Sequence, residues 1–121
     1  MPTKLATVEE LRDAQLERIT QPDLLARIKE LLVPVRCEHV GWDYGEPGQV
    51  FPCWIVAYDP GTNLAFAYAE HGFGPSYPWG MFRSGPSQSM GQDNCWYLTL
   101  EDVVRESMAW HGDNPPDHEV A

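Results

Sequence analysis

Residues 51–69, FPCWIVAYDPGTNLAFAYA, constrain the fold more than any other stretch of this chain. Two runs rich in β-branched and aromatic residues flank the turn-forming cluster Asp59-Pro60-Gly61-Thr62-Asn63, so the segment predicts an antiparallel hairpin. A five-residue loop over 59–63 places Tyr58 opposite Leu64, Val56 opposite Phe66 and Trp54 opposite Tyr68. One surface of that ribbon then carries only large side chains. The other carries Cys53, Ile55, Ala57, Ala65, Ala67 and Ala69, apolar but small. Neither surface suits water. The large one is expected to meet helices, and the small one to be approached closely by a loop, a returning strand or a second copy of the chain.

The helices are expected on either side of this hairpin. Thr7-Val8-Glu9-Glu10 reads as a capping box, followed by an apolar stripe of Val8, Leu11, Gln15/Leu16 and Ile19. Thr20-Gln21-Pro22-Asp23 ends that helix and starts another, with Thr20 as cap and Pro22 in the new first turn. Leu24, Leu25, Ile28, Leu31 and Leu32 form the second apolar face, which stops before Pro34. Val35 to Tyr44 is expected to begin the sheet, with Gly45-Glu46-Pro47-Gly48 as a turn. Near the other end, Trp96-Tyr97-Leu98 reads as an edge or closing strand. Thr99 then caps a third helix from about 100 to 110, with Asp102 positioned to reach back and Leu100, Val103, Val104, Ser107 and Met108 facing inward. Residues 111–121 are too polar and proline-rich to anchor themselves.

Between hairpin and closing strand, residues 71–95 read as a long irregular loop in which Phe73, Tyr77, Trp79 and Phe82 sit among glycines and prolines. Large rings in a loop either plug a core or line a surface, and a loop of that length without regular structure usually binds something or fills a hole. Phe73, Tyr77, Trp79, Phe82 and Arg83 are therefore the candidate interaction residues. The glycines here do not match a phosphate-binding loop, which needs fixed spacing, a following helix and usually a lysine.

Charge narrows the partner class. Of 18 acidic and 8 basic residues, twelve acids and only Arg36, Arg83 and Arg105 follow residue 32, and the net charge is -10. Such a field opposes phosphate backbones and anionic membranes and favours a basic partner. An acidic rim of Asp43, Glu46, Glu70 and Asp93 around the rings would complement a basic protein surface. No apolar run approaches the ~18 residues of a membrane span or resembles a secretion signal. The cysteines, Cys37, Cys53 and Cys95, are scattered and odd in number, so a reducing, cytoplasmic setting is expected; spacing alone would allow a Cys37 to Cys53 disulfide.

Candidate chemistry is sparse. Cys95 lies at one end of the long loop beside Asp93 and Asn94, and His71 lies at the other beside Glu70, so a loop folded back on itself could form a cleft holding Cys95, His71 and Asp93. That arrangement would suit a small hydrolase or ligand-binding protein. Cys95 beside Trp96 equally suits a buried structural thiol. Cys37-x-His39 can share one strand face, but two further donors would be needed for a metal, and His111 and His118 lie in the polar tail. No metal or other cofactor is expected.

The segments Phe51-Pro52-Cys53-Trp54-Ile55-Val56, Gly72-Phe73-Gly74-Pro75-Ser76 to Trp79-Gly80, Ser89-Met90-Gly91 and Ser107-Met108-Ala109-Trp110 resemble a group of small bacterial proteins of unknown function. The resemblance spans roughly residues 35–120 and implies neither a catalytic residue nor a ligand. Size, acidity and the order of helices before sheet are also similar to toxin-neutralising immunity proteins, with no diagnostic motif matched. The expectation is one α+β domain over residues 1–121: two N-terminal helices, a small antiparallel β-sheet, a long aromatic loop and a C-terminal helix. Its expected role is protein interaction, immunity-like or through a homodimer.

Overall fold

A computed structural model of the chain describes residues 5–41, 50–70, 76–84 and 95–112. The elements run α1 (Leu5–Arg18), α2 (Pro22–Leu31), β1 (Leu32–Gly41), β2 (Val50–Asp59), β3 (Leu64–Tyr68), β4 (Trp79–Arg83), β5 (Trp96–Tyr97) and α3 (Leu100–Arg105). This is the expected α+β order. Among the described residues, the strands pair antiparallel with their chain neighbours into one five-stranded sheet, β1-β2-β3-β4-β5. The three helices bury their apolar residues on one face of it.

Local chemistry sets the helix limits. Leu5 and Ala6 are strong helix formers and carry α1 upstream of Thr7, so Thr7 lies within the first turn instead of capping it. Val8 and Ile19 are buried, and Leu11 and Leu16 pack against the same core. Gln15 ties α1 to the third helix, its side-chain carbonyl accepting the Leu100 N–H at 3.1 Å and so serving one of the amides left open where α3 begins. Pro22 occupies the first turn of α2, but the N-cap is Gln21, not Thr20, and its side chain makes no capping bond. At α3 the Thr99 hydroxyl accepts the Asp102 N–H at 3.1 Å, as expected. That helix ends at Arg105, short of the expected 110. Ser107 donates to the Val104 carbonyl at 2.7 Å and accepts the Ala109 N–H at 3.2 Å, drawing the chain into turns. Met108, expected to face inward, lies beyond the helix and is 63% exposed.

Strand β1 follows α2 directly, starting at Leu32 and not Val35. Pro34 lies inside it. A strand tolerates proline at a sheet edge or a bulge, and both apply: between Leu32↔Ala57 and Arg36↔Ile55, four steps along β1 match two along β2. The expected turn at 45–48 lies outside the described residues.

The hairpin forms with a shifted register. Trp54 pairs with Tyr68 as expected, but Ala57 pairs with Phe66, Tyr58 with Ala65 and Asp59 with Leu64. A bulge at Val56 accounts for the slip, since two steps from Ile55 to Ala57 match one from Ala67 to Phe66. It lets Val56 and Ala57 both enter the helix-side core and turns Tyr58 to the opposite face. The connection shortens to residues 60–63, with Asn63 at φ 60°, a left-handed position that asparagine tolerates.

Asp59 closes this turn and ties it to the helices. Its carboxylate accepts from the Thr62 hydroxyl at 2.6 Å and the Gly61 N–H at 3.1 Å. Arg27 on α2 reaches it at 3.4 Å while donating to the Ala109 carbonyl at 3.0 Å. The Thr62 hydroxyl bond holds the Asp59 carboxyl below the usual range against the opposing effect of burial, aided by the Gly61 amide, the Arg27 charge and the Thr62 amide. One guanidinium therefore links α2, the hairpin turn and the segment after α3.

The expected loop over 71–95 contains a strand. Trp79–Arg83 pairs along its whole length with β3. Trp79 and Met81 join the helix-side core, and Phe82 joins the opposite cluster. No helix among the described residues is long and apolar enough to cross a membrane.

Candidate functional site

Two adjacent transverse rows of the sheet differ sharply in chemistry. On the helix face, the pairings Trp54↔Tyr68, Tyr68↔Trp79 and Trp79↔Tyr97 line up four rings across β2 to β5. Tyr68 and Trp79 lie with centroids 5.1 Å apart and planes tilted by 58°, a favourable aromatic geometry. One residue along, on the other face, Ile55↔Ala67, Ala67↔Gly80 and Gly80↔Trp96 form a row with small residues at its centre. A Cβ at Gly80 would lie 2.3 Å from the Trp96 ring, so the missing side chain is what lets that indole lie against the sheet.

The aromatic row is only partly enclosed. Trp79 and Tyr97 are buried, whereas Trp54 and Tyr68 are half-buried. The row approaches the end of the sheet where β2 and β4 begin and β3 and β5 finish. Three of the large apolar residues exposed to solvent, Val50, Tyr77 and Leu98, belong to that end: Val50 opens β2, Tyr77 precedes Trp79 by two residues and Leu98 follows Tyr97. Carboxylates flank it. Burial raises the Tyr68 phenol, with Glu70 adding to the shift. Burial likewise raises the Tyr97 phenol, followed by Glu106, Cys95 and Asp102. Both phenols therefore keep their protons at neutral pH, and the site presents rings edged by negative charge.

The interaction residues expected from sequence separate accordingly. Trp79 and Phe82 are buried on opposite faces, at 2% and 5% exposure. Tyr77 is 51% exposed at the start of β4, and Arg83 is exposed at its other end, opposite Leu64 and beside the hairpin turn. Tyr77 and Arg83 thus belong to opposite ends of the sheet. Phe73 lies outside the described residues, as do Asp43, Glu46 and Asp93 of the expected acidic rim; Glu70 is exposed. Trp54 and Tyr68 are the additions. Their pairing was readable from the hairpin, but their position in a four-ring row depends on β4 being a strand.

Of the expected cleft residues, His71 and Asp93 lie outside the described residues. Cys95 is half-buried and packs against the cluster that holds Phe82 and Trp96. None of the three cysteines forms a disulfide. Cys37 pairs with Trp54 and Cys53 with Glu38, so the two thiols occupy successive rows and opposite faces and do not bridge. Burial pushes the Cys53 thiol up to about 12, with Cys37 and Glu38 adding to it. Burial and then Glu38 raise Cys37 as well. Neither has the lowered pKa of a reactive nucleophile. Among the described residues, no group of three or more His, Cys, Asp or Glu could hold a metal ion.

A shallow groove of about 280 Å³ lies between α1 and α2, lined by Leu16, Glu17, Ile19, Leu25 and Lys29. It is on the helical side, away from the cluster that contains Cys95. Comparison with protein-family models, curated proteins and solved structures gave no match.

Proposed function

We propose that this chain is a small acidic protein-interaction domain, immunity-like in that a complementary surface and not a reaction is its function, and that it acts in the cytoplasm on a basic protein. One observation carries the reading. The half-buried Trp54 and Tyr68, the exposed Tyr77 and Leu98, and the carboxylate of Glu70 gather at one end of the sheet. Rings with part of their area already desolvated make efficient anchors, because little side-chain freedom remains to be lost on binding. An acidic edge steers a basic partner and sets its orientation. Three cysteines without a disulfide in a chain of this size favour a reducing compartment.

The test is capture from the native host by the purified wild type beside a Tyr77→Ser/Leu98→Ser double variant and a Glu70→Lys variant. These positions are exposed, so both variants are expected to keep the wild-type circular dichroism and melting temperature. A basic protein retained by the wild type, lost by the double variant and weakened by the charge reversal supports the reading. Retention that is equal across all three, or absent from the wild type, overturns it.

A further inference from the structure

Away from the aromatic row, among the described residues, strand β1 forms an edge of the sheet, ten residues long, with Pro34, Arg36, Cys37 and His39 exposed. We infer that β1 pairs antiparallel with β1 of a second copy of this chain, about a two-fold axis at Cys37.

The proline opposite β1 fixes which backbone groups face outward. In β2, Pro52 is paired with His39 and has no N–H to donate. Antiparallel pairs alternate between those that exchange backbone hydrogen bonds and those that do not. The ladder loses nothing if His39↔Pro52 is a non-bonded pair, and the alternation then makes Cys37↔Trp54 non-bonded as well. The N–H and C=O groups of Cys37 and His39 consequently point to the outer edge, and those of Arg36 and Glu38 point inward to β2.

Charge then selects the register. Arg36 and Glu38 stand two residues apart on the same face of β1, joined by a bond of 2.8 Å. Pairing centred on Cys37 sets Arg36 of each copy against Glu38 of the other, twice by symmetry, in the closer non-bonded type of pair. Centring on Arg36 opposes two arginines; centring on Glu38 opposes two glutamates. Slips to a centre between residues are excluded, because an outward-facing backbone group would meet an inward-facing one. A proline and charges on an edge strand ordinarily block indiscriminate pairing. Here opposite signs two residues apart reject the two adjacent self-registers and favour the one centred on Cys37, which alone sets both Arg36–Glu38 pairs against each other. The missing N–H of Pro34 lies within the irregular part of β1, between Leu32 and Arg36, before the regular Arg36–Glu38 segment on which the self-pairing is centred. The result is a continuous sheet across both copies with their helical layers on the same side.

The test is the concentration dependence of mass by light scattering and sedimentation at low salt, for wild type, Arg36→Glu, Glu38→Arg and the double charge swap. Circular dichroism of each checks that the fold persists. The wild type is expected to form a dimer, each single change to raise its dissociation constant about tenfold or more, and the double swap to restore it. A second readout uses Cys37, whose Cα would lie about 5.5 Å from its symmetry mate, within disulfide range: mild oxidation should yield a reducible dimer from wild type and none from Cys37→Ser. A wild type that stays monomeric at millimolar concentration overturns the inference. So does a dimer indifferent to the single changes, or a double swap as weak as either. The Tyr77→Ser/Leu98→Ser variant is expected to dimerise normally, so failure here and failure of the partner-binding reading are separable.

Discussion

The two faces of the sheet solve the burial problem in opposite ways. On the helix face the strands contribute bulk, Trp54, Phe66, Tyr68 and Trp79, and the helices bring Leu24, Ile28, Leu100 and Val103 to meet it. On the other face β2, β3 and the residue after β3 contribute Cys53, Ile55, Ala65, Ala67 and Ala69, and the buried rings arrive from β4 and β5 as Phe82 and Trp96. The first face is stabilised by many large side chains sharing one interface. The second depends on a few rings fitting a floor of small residues, and a floor of that kind is sensitive to added atoms more than to removed ones.

That contrast predicts opposite sensitivities. Phe66 is fully buried in the helix-side cluster, and Phe66→Ala should cost about 3–5 kcal/mol by leaving a cavity that facing helices and strands cannot both close. The same truncation strategy has little to remove on the small face, where the informative change is an addition. Gly80→Ala places a methyl 2.3 Å from the Trp96 ring and should cost about 1–3 kcal/mol as that indole is displaced. Chemical denaturation with Trp fluorescence reads both changes. If Gly80→Ala proves neutral while Trp96 keeps its wild-type emission, the close packing assigned to the small face is wrong.

Much of this architecture was legible from period and turn chemistry. The large-and-small alternation of 53–69 located the hairpin and its Trp54↔Tyr68 pair, and Thr99 announced α3. Bulges are harder to read. An extra residue at Val56 leaves no signature in a run that is apolar throughout, yet it moves Ala57 and Tyr58 to new faces. Strand β4 was hidden by its own requirement: Gly80 makes WGMFR look like loop, whereas Trp96 needs that glycine in order to pack. Once 79–83 is a strand, Trp79 and Phe82 become core and the exposed candidates reduce to Tyr77 and Arg83. Likewise Pro34 signals a break in an isolated sequence but is compatible with an irregular edge strand. Reading the candidate site thus required the sheet order, which side-chain pattern alone does not specify.

The smallest of the three effects tests what holds the helix face together electrostatically. Asp59 is 5% exposed, accepts from Thr62 and Gly61 and faces Arg27, which in turn binds the Ala109 carbonyl. Asp59→Asn keeps an acceptor oxygen but loses one charged acceptor and the attraction to Arg27, so it should cost about 0.5–1.5 kcal/mol at neutral pH. The sign of the pH dependence follows from the lowered carboxyl pKa. A group whose folded pKa lies below its unfolded value contributes in full above the unfolded value, about 3.9 for Asp, and loses that contribution as pH falls through the folded value. The stability gap between wild type and Asp59→Asn should therefore be constant near neutrality and narrow as pH drops below about 4. Urea denaturation at a series of pH values measures it. A gap that stays constant into acid would show that the turn uses Asp59 for its shape and not its charge, and Arg27 would then be positioned by the Ala109 carbonyl at 3.0 Å and Glu30 at 3.3 Å.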